Sequence, residues 1–240
     1  MSKYPSSVIV WEGQSQLDGQ PIVLILTNLE RPSANTKTGS MVQAIILTQA
    51  DKPTTAVQMG TDESICGNCP LRKDVCYVNL VPMNSVYKAY ITGSYPHITQ
   101  EVLDRAKELK KRLRITAYGD PSSVPLEIWE WLLGYFTQWT GYTHQWRWLG
   151  SEWSKFLMAS CETEDQVIHA QSLGWSTFRV MAPGSPNLPG EIECPNVQDP
   201  TVQCTNCRLC SGNPRGRTKH ISIEVHGLNW KVENYQKLTN

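Results

Sequence analysis

The chain has 240 residues, enough for one large domain or two small ones, and it is long enough to bury a core without disulfide staples. Lysine plus arginine and aspartate plus glutamate each number 22, so the net charge is zero and global charge draws no polyanion. At 40% hydrophobic and 18% charged residues the chain is not a disordered one, and no stretch approaches the roughly 18 apolar residues of a membrane span. The opening MSKYPSSVIVWEGQSQ lacks the apolar core of a secretory signal, which points to a reducing cytoplasm. Eight cysteines there are ligands or catalysts sooner than disulfides.

Short apolar, β-branched runs come first: Val8 to Trp11, Ile22 to Leu26, Val42 to Leu47 and, more weakly, Thr54 to Met59. They predict strands separated by turns at Asp18-Gly19 and Asp51-Lys52-Pro53. From His97 onward, helices and strands alternate. Thr99 to Leu113 predicts a helix with Val102, Leu103, Ala106, Leu109 and Leu113 on one face, followed by a strand from Arg114 to Tyr118. A helix is expected from about Pro125 to Trp139, with strands over Tyr142 to Trp148 and Lys155 to Ser160. Thr163 with Gln166 three residues later opens a helix that runs to Leu173 and is closed by Gly174. Ser176 to Met181 and Ile221 to Val225 read as the remaining strands.

Strict alternation requires parallel strands with crossover helices. The expected class is therefore α/β: a partial (β/α) barrel or an open parallel sheet, with an N-terminal β-rich segment over 1–62, the α/β part over 63–183 and a cysteine-rich segment over 184–240. Chemistry in such folds collects at the carboxyl ends of the strands. Asp120, Cys161 and Glu162 fall there, with Asp120 and Glu162 as candidate acid and base. Asp120 before Pro121 equally fits a turn or helix cap. Arg179, inside a strand, is a candidate for binding a cofactor carboxylate, or for pairing with Glu162.

Cys194, Cys204, Cys207 and Cys210 form C-x9-C-x2-C-x2-C, with Pro195 after the first. Four soft ligands within seventeen residues make a metal site. Three cysteines spaced three and three favour a [4Fe-4S] cluster over the paired C-x2-C knuckles of zinc, with zinc as the alternative. The earlier group, Cys66, Cys69 and Cys76 in CGNCPLRKDVC, is one ligand short of four. Either Cys161 completes it, or an open iron takes a small molecule such as S-adenosylmethionine. Two clusters are thus expected, with an electron donor or small-molecule ligand as partner. The cluster Arg208, Arg215, Arg217 and Lys219 offers a local basic patch for nucleic acid, and no membrane partner is expected.

CGNCPLRKDVCYVN, the strand ends AYGDP and MASCE, and the tail ECP…CTNCRLCSG followed by EVHG resemble a group of bacteriophage-encoded cysteine-rich proteins over most of the chain from about Ser33. That resemblance implies the cytoplasm of a bacterial host. The order of strands and helices with an early three-cysteine loop is similar, more loosely, to the partial barrel of radical S-adenosylmethionine enzymes. Those enzymes carry C-x3-C-x2-C, whereas this chain has C-x2-C-x6-C. The function expected is redox or radical chemistry on iron–sulfur clusters; the alternative is a metal-braced binding module for nucleic acid or protein.

Overall fold

The computed structural model describes residues 3–33, 35–214 and 216–239. The chain divides into two compact units, Met1–Gly67 with Val78–Trp139, and Asn68–Tyr77 with Thr140–Asn240. The class is mixed α/β. Nine strands lie among the described residues, and parallel pairing predominates.

In the first unit β1 (Val8–Gln14), β2 (Pro21–Thr27) and β3 (Val42–Thr48) form an antiparallel meander. Every residue of β3, and all of β2 after Pro21, is buried, so these strands are continuous apolar runs rather than alternating ones. Helices α1 (Pro53–Met59) and α2 (Glu63–Cys66) follow. The expected strand at Thr54 to Met59 is therefore a helix. Pro53 opens its first turn and Gly60, at φ 83°, closes it in the left-handed conformation, two terminus signals that outweigh a short apolar run.

Next come α3 (Leu80–Ile91), capped by the Asn79 side chain, and α4 (Gln100–Glu108), capped by Thr99 and burying Val102, Leu103 and Ala106. The predicted helix overruns its true end. Lys110 turns into the left-handed region at φ 50°, and Leu113 already belongs to β4 (Arg112–Tyr118), which pairs parallel with β3. After β4 the chain turns at Gly119 and passes a single 3-10 turn, Pro121–Ser123, into α5 (Leu126–Leu133). Gly119 has φ +89°, and a Cβ there would stand 2.9 Å from Ile46 Cβ, so the turn requires glycine. Trp129 is fully buried and its Nε1 donates to the Pro121 carbonyl at 2.9 Å, tying α5 to the turn that precedes it.

The second unit is built on β5 (Gln138–Thr143) from Thr140 onward, β6 (Met158–Cys161), β7 (Thr177–Met181), β8 (Glu191–Glu193) and β9 (His220–Glu224). Their order is β5-β6-β7-β9-β8 and every pairing is parallel. Strand β5 starts four residues earlier than predicted, because α5 stops at Leu133. Short α6 (Ser151–Ser154) and α7 (Glu164–Ser172) separate the first three strands. Thr163 Oγ1 accepts the Gln166 N–H at 3.3 Å, the expected cap, while the Gln166 side chain reaches back to the Glu162 N–H at 2.9 Å rather than to that of Thr163. Between β8 and β9 lie α8 (Pro195–Gln198) and α9 (Cys204–Cys207), and α10 (Asn229–Thr239) follows β9. Among the described residues no helix is long and apolar enough to cross a membrane.

Candidate metal centre and strand-end site

Strand β8 runs directly into Cys194, which precedes Pro195 at the start of α8; its backbone N–H donates to the Ser222 carbonyl of β9 at 2.8 Å. One turn of α9 separates Cys204 from Cys207, so the two share a helix face. Arg208, in the left-handed conformation at φ 65°, then reverses the chain toward Cys210, whose carbonyl accepts the Gly141 N–H of β5 at 3.1 Å. Cys194 is buried with Met158, Ile221 and Ile223, and Cys210, Leu209, Tyr142, Phe178 and Val180 pack against that cluster.

The wall is apolar and its electrostatics follow. Burial pushes the Cys210 thiol up to about 12, against a lowering hydrogen bond from Tyr142, and the thiols of Cys204, Cys194 and Cys207 add to the rise. Cys204, Cys194 and Cys207 thus lie within electrostatic reach of Cys210, and of these only Cys194 shares its apolar cluster. Just beyond, Gly212 is buried with φ +68°, and a Cβ there would stand 2.7 Å from the Ser154 carbonyl oxygen and 2.8 Å from the Leu157 nitrogen. The chain leaving the last cysteine needs a residue without a side chain to pass so close to the backbone between α6 and β6.

The second constellation stands at the carboxyl ends of β5 and β6. His144 follows β5 directly, and Thr143 Oγ1 accepts the Gln145 N–H at 2.9 Å to shape the turn. Trp146 Nε1 donates to the Ser160 carbonyl at 3.0 Å and holds that turn on β6, while Gln166 fixes the backbone of Glu162. The two strand ends bring His144 Nε2 to 2.7 Å from Glu162 Oε1, and His144 Nδ1 lies 3.2 Å from Cys69 Sγ. Both partners are withdrawn from water, the side chains being 16% and 5% exposed. Burial alone would depress the His144 pKa, but Cys69 on one side and Glu162 on the other hold it well above the ordinary histidine range.

The remaining predicted residues are placed as follows. Cys66 ends α2 in the first unit, whereas Cys69 and Cys76 belong to the second. The Cys76 carbonyl accepts from Lys231 Nζ of α10. Cys161 ends β6 with no exposed surface and its thiol points to the Ala159 carbonyl at 3.7 Å. Burial, and then the Glu162 carboxylate, push that thiol far up. Asp120 caps the 3-10 turn, accepting from the Ser122 N–H at 3.1 Å and the Ser122 hydroxyl at 2.7 Å, so the cap reading of this residue describes its contacts. Arg179 pairs with Glu191 and not with Glu162: Nε to Oε1 is 2.8 Å, Nη2 to Oε2 is 2.6 Å, and Nη2 also donates to the Pro186 carbonyl. Its guanidinium is committed to a buried two-point ion pair. Arg208 and Arg217 are exposed, Lys219 Nζ donates to the Arg208 carbonyl at 3.5 Å, and Arg215 lies outside the described residues.

The sequence marks neither His144 nor Tyr142 as a functional residue. Their only signal was position, at and after the end of a strand whose boundary was placed too late. Among the described residues, no three His, Cys, Asp or Glu side chains stand close enough to hold a single metal ion. No family model, curated protein or solved structure matches this chain.

Proposed function

We propose that this is an iron–sulfur protein whose closed cluster is held by Cys194, Cys204, Cys207 and Cys210, with redox chemistry as its function. The supporting observation is the packing of partly buried Cys210 against an apolar cluster, within electrostatic reach of the other three thiols. A single tetrahedral zinc at about 2.3 Å from each sulfur draws its thiolates to within ~3.8 Å of one another. A cubane interposes irons and sulfides, and the compact run of three cysteines spaced three and three along the chain favours it. A [4Fe-4S] cluster bound there supplies one-electron exchange. Met158, Ile221 and Phe178 would exclude water from it, and the Tyr142 hydroxyl, already bonded to Cys210, would temper the charge on that sulfur.

On spacing along the chain, Cys66, Cys69 and Cys76 are the ligands of a second metal site, where an open iron would admit S-adenosylmethionine and radical chemistry on a partial barrel. A reducing compartment, the host cytoplasm if the chain is phage-encoded, suits both. The exposure of Arg208 and Arg217 beside the cluster loop favours a second reading, a metal-braced module that grips nucleic acid.

Metal and sulfide analysis with absorption and electron paramagnetic resonance spectra, on protein purified without oxygen, tests these readings. About four irons per chain support the closed cluster and about eight support both. A spectrum that shifts on adding S-adenosylmethionine supports the open site. Zinc alone sinks the redox reading, and salt-dependent binding of an oligonucleotide by the zinc protein establishes the module.

A further inference from the structure

The chain of contacts from Cys69 through His144 to Glu162 serves no purpose in the four-cysteine site. Its geometry is directional. Glu162 is nearly inaccessible and lies 2.7 Å from Nε2 of His144, so in the neutral ring it favours the tautomer with the proton on Nε2. Nδ1 faces the thiol of Cys69 at 3.2 Å, and once the ring gives up its second proton, as metal ligation requires, its lone pair points at that sulfur. A carboxylate on the far nitrogen is the outer-shell device that orients metal-ligating histidines and raises their basicity. Adjacent parallel strands β5 and β6 supply both partners, and these strand ends are pinned by Trp146 and Gln166. The cysteine loop is itself tied down where Lys231 meets the Cys76 carbonyl. Cys161, the other candidate to complete that loop's ligands, points into its own strand instead.

We propose that His144 ligates, through Nδ1, the metal bound by the early cysteine loop beside Cys69, that Glu162 is its orienting carboxylate, and that Cys161 is not a ligand. This rests on the reading that the loop carries metal at all. Thiolate and imidazole together select a borderline or soft metal, either a zinc ion or an iron of a cluster. Both sources share the ligand chemistry, and iron with sulfide against zinc in the analysis tells them apart.

The test is the metal content of protein purified without oxygen, as wild type and as Cys69→Ser, His144→Ala, His144→Cys, Cys161→Ser and Glu162→Gln, with circular dichroism as the control for folding. Cys69→Ser and His144→Ala are each expected to lose the same metal complement and to keep that of the Cys194 group. His144→Cys and Cys161→Ser should retain full metal. Glu162→Gln should keep its stoichiometry but yield metal to a chelator at an affinity about 10–100-fold weaker. A folded His144→Ala with wild-type metal overturns the proposal, as does loss of metal in Cys161→Ser. If Cys69→Ser loses metal while His144→Ala keeps it, the assignment of His144 alone fails. If both keep it, the loop binds no metal, and the contact is a thiol relay of another kind. Should His144→Ala not fold, a folded but metal-free His144→Cys overturns the proposal in its place.

Discussion

Two single residues carry consequences out of proportion to their size. Gly212 sits where any side chain meets the carbonyl of Ser154 and the backbone of Leu157. Alanine at this position is expected to cost about 1–2 kcal/mol from the left-handed conformation alone, with the steric clash added. Denaturant titration of Gly212→Ala checks it, and a midpoint equal to wild type would refute the placement of the chain after Cys210. Tyr142 is the opposite case, a residue whose loss should leave the fold intact. Its hydroxyl bonds Cys210, and hydrogen bonds to ligating sulfur raise cluster potentials. If Cys210 ligates the proposed cluster, Tyr142→Phe is expected to retain iron and shift to a more negative reduction potential in a redox titration; an unchanged potential would separate Tyr142 from that cluster.

At the scale of the element, legibility followed how completely local signals and burial agreed. Helices α4 and α7 could be read from sequence because each carries a threonine cap and an apolar face that meets the core. Thr163→Ala is expected to cost about 1 kcal/mol, seen as a lowered melting temperature, whereas Thr163→Ser should be close to neutral. Helix α3 was illegible because it buries no residue fully, so no apolar stripe marks it. The end of α4 was misplaced because helix and strand abut through Lys110, leaving Leu113 in phase with the helical face although it packs in β4. Helices α8 and α9 are one turn each, too short for periodicity to register. The four later cysteines stand out as a group because their spacing is local along the chain. The pairing of His144 with Glu162 and Cys69 does not, since it joins residues 18 and 75 positions apart through strand neighbours that only the folded sheet creates.

For the molecule as a whole, pH acts on the second unit through His220 as well as through the site. His220 Nδ1 lies 2.9 Å from Thr177 Oγ1, and burial lowers the imidazole pKa, with Glu191 opposing in part. The unfolded chain therefore binds a proton near pH 6.5 that the folded chain resists. Stability contributed here is whole above that value and is lost as pH falls through it toward the folded pKa. Urea midpoints measured from pH 8 to pH 5.5 should fall further for wild type than for His220→Gln. The difference between the two isolates His220 from His144, whose raised pKa works in the other direction. A wild type that loses no more than the variant would place His220 in water.

The strand order β7-β9-β8 also dictates a sequence of events during synthesis. Strand β8 is only three residues long, and β9 is the strand it bonds, made about thirty residues later. Until the ribosome has released residues 220–224, β7 presents an open edge and Cys194 has no Ser222 carbonyl to meet. The Arg179–Glu191 ion pair joins β7 to β8 across the place that β9 must fill, so a clasp that closed first would stand over an empty slot. Insertion of β9 is thus the step that buries Cys194, while Cys204, Cys207 and Cys210 stay partly exposed even in the finished fold.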